Sequence, residues 1–489
     1  MLLLANAAFA QGTDSDEKGA NAPAPAAPVI TRSPDYAANN AWMLTSSALV
    51  LFMTIPGLAM FYGGLVRKKN VLGVIMQCMF LMGLMAVIWC LYGYSLSFGG
   101  SDPYKGDGEF LMMKNVAPEW EAAVEAKPAA DGKPAVEAKP AGQKHYPFVL
   151  ANVEILPLTT HMLFQGMFFI ITPGLICGAF AERMKFSAMV VFSILWGTLI
   201  YTPLCHWVWD GGILAYHAGE HAIAGGALDF AGGTVVHISS GVSALVAALV
   251  IGKRVGYGVK PMPPHNLTYT ALGAGMLWVG WFGFNAGSEL ASDDIAAYAF
   301  SATHFSAAAA TLAWAGMEWI TRGKPSMLGA ASGAVAGLVC VTPAAGYVTP
   351  MSGIYMGLAA GVFCFFACTT IKNKFGYDDS LDAFGVHGLG GTLGAILTGV
   401  FATRAVNNLN NGAPLGLVDT FGGDKVPSDQ SPLLMGQLAA VGITWVVAIV
   451  GSFILLKLID VTIGLRVTEQ EEQEGLDITQ HGEEGYIFN

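Results

Sequence analysis

The chain has 489 residues, of which 54% are hydrophobic and only 12% charged, whereas about a quarter of the residues in an ordinary soluble protein are charged. This excludes a water-soluble globular protein and makes lipid the solvent. The net charge of −11 owes much to an acidic carboxyl-terminal tail and outer loops, so it carries no partner signal and gives no reason to expect nucleic acid.

In chain order, the opening MLLLANAAFA ends in a small-x-small pattern before Gln11 and reads as a signal peptide remnant over 1–10 that lacks a basic n-region. The Pro/Ala-rich stretch 11–40 reads as a disordered outer tail. Eleven stretches free of Asp, Glu, Lys and Arg then follow, each long enough to cross a bilayer, which takes about 20 apolar residues. They run over 41–66, 71–98, 155–181, 186–209, 230–252, 267–288, 295–317, 326–348, 351–371, 383–403 and 433–456. The membrane domain is therefore expected over 41–460. The predicted fold class is an all-α integral membrane protein with eleven transmembrane helices.

Basic residues cluster in alternate short loops, as in Arg67, Lys68 and Lys69 or Lys253, Arg254 and Lys260, while the connections 289–294 and 349–350 hold none. Cytoplasmic loops carry the excess of Lys and Arg. The amino terminus is thus expected outside and the tail 461–489 in the cytoplasm of a multi-pass plasma-membrane (inner-membrane) protein. The long insertion 99–148 repeats VEAKPA at 124–129 and 136–141. Rich in Ala, Pro and Lys, it is expected to be a mobile outer loop with too little apolar surface to fold.

All seven cysteines lie in apolar runs and are read as packing residues, with no spacing that suggests a disulfide framework or a metal site. Two spans carry a GxxxGxxxG stripe, Gly329, Gly333 and Gly337, then Gly353, Gly357 and Gly361. These predict close helix contact. Spans 1–5 and 6–10 match as an inverted five-helix repeat, leaving a peripheral eleventh helix. GLIC at 174–177 answers GLVC at 337–340, and Asp229 before His237 answers Asp382 before His387. Transport sites commonly lie where such repeats meet.

Polar side chains inside a bilayer are costly, which makes each one a functional candidate. A lone membrane histidine ordinarily bonds another helix, and His161, His206 and His304 are read that way. His237 and His387 occupy corresponding places, and two facing imidazoles can share a proton, accept a hydrogen bond from a small polar solute or relay a proton. If they pair, Asp382 must also be buried. Trp281, Phe284 and Ser288 share one helical face, as do Phe164 and Phe168, while Trp209 and Ser288 fall at outer ends. An aromatic face with a hydroxyl attracts a small cation. An interfacial aromatic belt suits Trp209 and Trp207 equally on spacing.

These residues stand in long strings: FMTIPGLAMFYGGLVRKKN at 52, FQGMFF at 164, GAFAERMKFSA at 178, LDFAGGTVVHI at 228, GWFGFNAGS at 280, SGAVAGLVCVTPAAGY at 332 and DAFGVHGLGGTLG at 382. The chain thereby closely resembles the ammonium transporter family, whose wider relatives include the Rhesus glycoproteins. The resemblance implies eleven helices per subunit and a homotrimer with a narrow pore through each subunit. It implies an outer ammonium site of Phe168, Trp209 and Ser288 with Trp281 close by, and a gate of the Phe168 and Phe284 rings. His237 and His387 would be the pore histidines, past which ammonia travels after ammonium loses its proton. Asp229, and by correspondence Asp382, would give structural support. The tail at 464–486 resembles the cytoplasmic terminus that in bacterial members meets a PII-type signalling protein, so such a partner is implied too. No cofactor, metal or enzymatic activity is expected. An ammonium sensor acting through the PII-type partner is the second reading, ranked behind transport because the chain stops after a short tail.

Overall fold

The computed structural model describes residues 30–126, 138–150, 152–216, 219–409, 415–421, 425 and 432–486. The signal-peptide remnant, most of the outer tail and the centre of the insertion lie outside the described residues.

A helix occupies each of the eleven apolar stretches. Eight described helices are long and apolar enough to cross a membrane: α1 (Tyr36–Leu65), α2 (Lys68–Phe98), α3 (Leu158–Phe180), α4 (Phe186–Trp209), α5 (Gly233–Ile251), α9 (Pro350–Phe375), α10 (Phe384–Phe401) and α11 (Leu433–Thr462). Between α5 and α9 stand α6 (Leu267–Ala286), α7 (Asp294–Arg322) and the shorter apolar α8 (Met327–Val341). Alanine, glycine, serine and threonine fill much of α6 and α7, which lowers their hydropathy but lets neighbouring backbones close in. In α3, 94% of the apolar stretch is buried, against 28% in α11. The first is therefore the centre of the bundle and the second lies at its edge. Large apolar side chains such as Leu199, Leu249, Leu312 and Val446 point outward, as lipid-facing residues must.

Both glycine stripes do what small residues do in lipid, and on the same partner. A Cβ on Gly337 of α8 would sit 2.5 Å from the Ser306 carbonyl of α7, and one on Gly357 of α9 would sit 2.2 Å from that carbonyl. The two helices thus clamp α7 by backbone contact. A Cβ on Gly241 of α5 would likewise lie 2.0 Å from the Gly388 amide of α10. Only glycine lets the two histidine-bearing helices approach this closely.

The tail and insertion differ from expectation. Residues 30–40 are ordered: α1 starts at Tyr36, and β1 (Thr31–Arg32) pairs in parallel with β5 (Val153–Pro157). Arg32 supports this pairing through an ion pair with Glu154 at 3.1 Å. In the insertion, β2 (Glu119–Glu121) pairs with β3 (Gly142–Lys144), and β4 (Pro147–Leu150) pairs with β5. Backbone ladders replace the missing apolar core, and Phe148 anchors the segment by stacking on His161 at 4.1 Å. Among the cysteines, Cys90 is exposed rather than packed.

At the end of the bundle where α3, α5 and α9 finish, charges are buried together. Glu182 accepts from the Arg67 Nε at 2.9 Å, the Asn70 amide at 2.8 Å and an Arg254 nitrogen at 2.5 Å. Asp378 accepts from the Arg254 backbone N–H and its Nη2, each at 2.8 Å. Arg183 donates to the Asp378 carbonyl at 2.6 Å and to Ser380 at 2.7 Å. Burial alone would raise the Glu182 carboxyl, but the charges of Arg254 and Arg67 outweigh it and hold the group below the ordinary carboxylate range. In Asp378 burial is likewise overcome, by the Arg254 hydrogen bonds and the Arg183 charge.

The carboxyl-terminal tail folds onto this end. Short helices α12 (Glu469–Glu474) and α13 (Leu476–His481) place Glu472 under the Val255 N–H at 2.7 Å and beside Arg466 at 2.6 Å. Asp477 caps the start of α2 by accepting from the Gly73 N–H at 2.7 Å.

Candidate functional site

Asp229 prepares the site from the chain immediately before α5. Its carboxylate accepts from the backbone N–H groups of Gly232, Gly233 and Thr234 at 2.8, 2.6 and 2.7 Å, and from the Thr234 hydroxyl. These are the N–H groups that a helix start leaves without partners. The Asp229 carbonyl accepts from the Trp209 indole N–H at 2.8 Å. One residue thus fixes the entrance of α5 and the orientation of Trp209.

From Trp209 the aromatic rings continue inward without a break. Phe168 meets Trp209 edge-on at 5.7 Å and Phe284 at 4.4 Å. Phe284 lies 5.9 Å from His237, and His237 lies 5.3 Å from His387. Both histidines sit in wide π-helical turns, Gly233–Ile238 and Phe384–Gly388, which open α5 and α10. Such turns displace side chains from regular helical register and recur at functional sites.

The two histidines approach Nδ1 to Nδ1 at 3.3 Å. One ring must donate and the other accept. The His237 Nε2 has no hydrogen-bond partner among the described residues. His237 borders a cavity that has room for about one water-sized molecule, lined by both histidines, Trp281, Phe284 and otherwise by apolar side chains. His387 also borders a second, polar cavity with Tyr62, Arg254, Ser380 and Asp382. The first cavity is almost wholly apolar apart from the imidazoles, the second is lined by polar and apolar groups alike, and His387 borders both.

The other expected residues fall as follows. Ser288 is buried one turn beyond Phe284, and its hydroxyl donates to the Phe284 carbonyl at 2.9 Å. Trp281 stacks on His237 at 5.4 Å and meets Phe284 at the same distance, so it lies between the ring pair and the histidines. Its indole N–H donates to Thr342 at 2.9 Å. Thr342 was missed in the sequence, although a threonine within the VCVTPAAGY string is a polar group in an apolar span.

Asp382 departs from expectation. Its side chain is 41% exposed, and it pairs with Lys372 at 2.7 Å. The carboxylate that caps this turn is instead the buried Asp379, three residues earlier, which accepts from the Phe384 N–H at 2.8 Å at the start of the π turn. Burial pushes the Asp379 carboxyl up to about 6. Asp379 therefore stands to α10 as Asp229 stands to α5. The chain rises through Asp382 in a left-handed conformation, φ 60°, which turns that side chain out.

The remaining membrane histidines bind local structure. His161 meets the Tyr94 hydroxyl at 3.0 Å, His206 meets the Asp102 carbonyl at 2.6 Å and Asp210 at 3.0 Å, and His304 sits among Trp278, Phe282 and Phe305. No group of three or more metal-ligating side chains occurs among the described residues.

Residues 41–486 match the Ammonium Transporter Family. An ammonium transporter of Bacillus subtilis is 43% identical over 439 residues, covering 90% of this chain and 96% of that one. One of Aquifex aeolicus is 41% identical over 448 residues, covering 92% and 93%. Among solved structures, Saccharomyces cerevisiae Mep2 superposes with a TM-score of 0.73 at 31% identity, covering 89% of this chain and 88% of that one. The chain is a multi-pass membrane protein belonging to the ammonium transporter family.

Proposed function

We propose that the protein carries ammonium across the plasma membrane by binding the cation at an outer site of Trp209, Phe168 and Ser288, removing its proton there, and passing ammonia by His237 and His387 into the cytoplasm. The observation that carries this reading is the unbroken file of rings from Trp209 to His387, which ends in a cavity sized for one small molecule. Moving a bare charge through such a lining costs many kcal/mol, whereas a neutral solute needs only a hydrogen-bond partner, which an imidazole supplies. Potassium cannot shed a charge and is rejected.

On this reading α1 to α11 all cross the membrane, with the amino terminus outside and the tail inside. The corresponding π turns, each capped by a buried aspartate, support an inverted repeat of α1–α5 and α6–α10. Family membership supports a homotrimer with one pore per subunit and a PII-type signalling protein at the inner face.

The outer site is tested with Trp209→Leu. A cation over an aromatic face gains about 0.5 to 2 kcal/mol, roughly 2- to 30-fold in affinity. The half-saturating ammonium concentration for transport should rise within that range. An unchanged half-saturation removes Trp209 from the recruiting site.

A further inference from the structure

Glu289 follows Ser288 in the turn Gly287–Glu289 that closes α6. It is 4% exposed, and its Oε1 has no hydrogen-bond partner among the described residues. A carboxyl buried in this way is expensive to keep unless it has a use or a counter-charge. The next residue, Leu290, takes a left-handed backbone, φ 61°, and is fully packed. The turn is therefore fixed, with the carboxyl inside.

The groups that face Glu289 among the described residues are Asp293, before α7, and Tyr347, after α8. Tyr347 feels both Glu289 and Asp229 and packs edge-on against Phe230 at 5.4 Å. Glu289 thus lies at the same end of the bundle as Asp229 and Trp209. Among the described residues no cationic side chain forms an ion pair or hydrogen bond with it.

Resting on the transport reading above, we infer that Glu289 is the counter-charge of the outer ammonium site: a neutral carboxyl when the site is empty and a carboxylate when the cation is bound. Binding is then an exchange, in which ammonium enters, Glu289 releases its proton to the outer solution, and the ion pair forms beside Ser288. The direction of titration agrees. Burial, reinforced by the Asp293 charge, pushes the Glu289 carboxyl up to about 8, so it is largely neutral at neutral pH and a nearby cation draws it into the charged form.

The test is the half-saturating ammonium concentration of the full-length protein in proteoliposomes, from about pH 6 to about pH 8.5, for the native chain and Glu289→Gln. Over this range ammonium remains the major form. The native value should rise as pH falls, by up to about tenfold per unit, the limit for one exchanged proton. Glu289→Gln should still transport, with a half-saturation several-fold higher at the alkaline end and flat with pH. Equal pH slopes in the two proteins overturn the inference, as does a flat native profile, which decides the matter even if the variant fails to fold. A native protein that gives no ammonium response at any pH overturns the transport reading itself, and this inference with it.

Discussion

Replacing both His237 and His387 with alanine should lower ammonium-dependent flux by about 5- to 150-fold, because each transit then lacks a hydrogen-bond partner worth about 1 to 3 kcal/mol. The imidazoles supply the free polar atoms of the inner cavity. The Trp281 N–H is already held by Thr342, and the other lining groups are apolar. Each single alanine leaves one imidazole and should have a smaller effect than the double variant, since the rings act as a pair at 3.3 Å. Flux is read as ammonium-driven current or interior pH change in liposomes. Flux unchanged in the double variant would mean that the file of rings is not the path.

The largest effect on stability should come from Arg254→Met. The substitution strands Glu182 and Asp378, both buried, without their main counter-charge. Breaking a buried pair from one side costs about 3 to 5 kcal/mol. The variant should unfold far below the native temperature in detergent, followed by intrinsic fluorescence. Arg254→Lys should fall between the two, since an ammonium keeps the charge but loses the fork that reaches both carboxylates. The pH sign follows from the two carboxyls being held below their ordinary range. Their stabilisation is present above the unfolded carboxyl range of about 4 to 4.5 and is lost as pH falls below it. The native protein should therefore lose thermal stability on acidification through that region, and Arg254→Met should lose less.

Much of this was legible in the residues. Uncharged runs located α1 to α11, because twenty apolar residues have few other uses. The histidine pair was legible because two imidazoles in lipid at corresponding places require a reason. Asp382 misled, because spacing from a histidine along the chain says nothing about φ. A left-handed residue turned that carboxylate outward and left the capping to Asp379. Trp281 shared a helical face with Phe284 and Ser288, but a face spans more than one turn, and its depth beside His237 needed coordinates. The ladders of the insertion were hidden because backbone pairing leaves little trace in composition. The Glu182, Arg254 and Asp378 network was hidden for a different reason. Charged residues in short loops read as solvated topology markers, and only the folded tail and the converging helix ends bury them.

The most direct measurement is current and interior pH on an ammonium jump, with the native protein in liposomes on a solid-supported membrane and potassium as the control. The expected response saturates with ammonium and is absent with potassium, as a transient current if the proton travels by the histidines or as an interior pH change alone if only ammonia crosses. An equal response to potassium, or no response of either kind to ammonium, would contradict it.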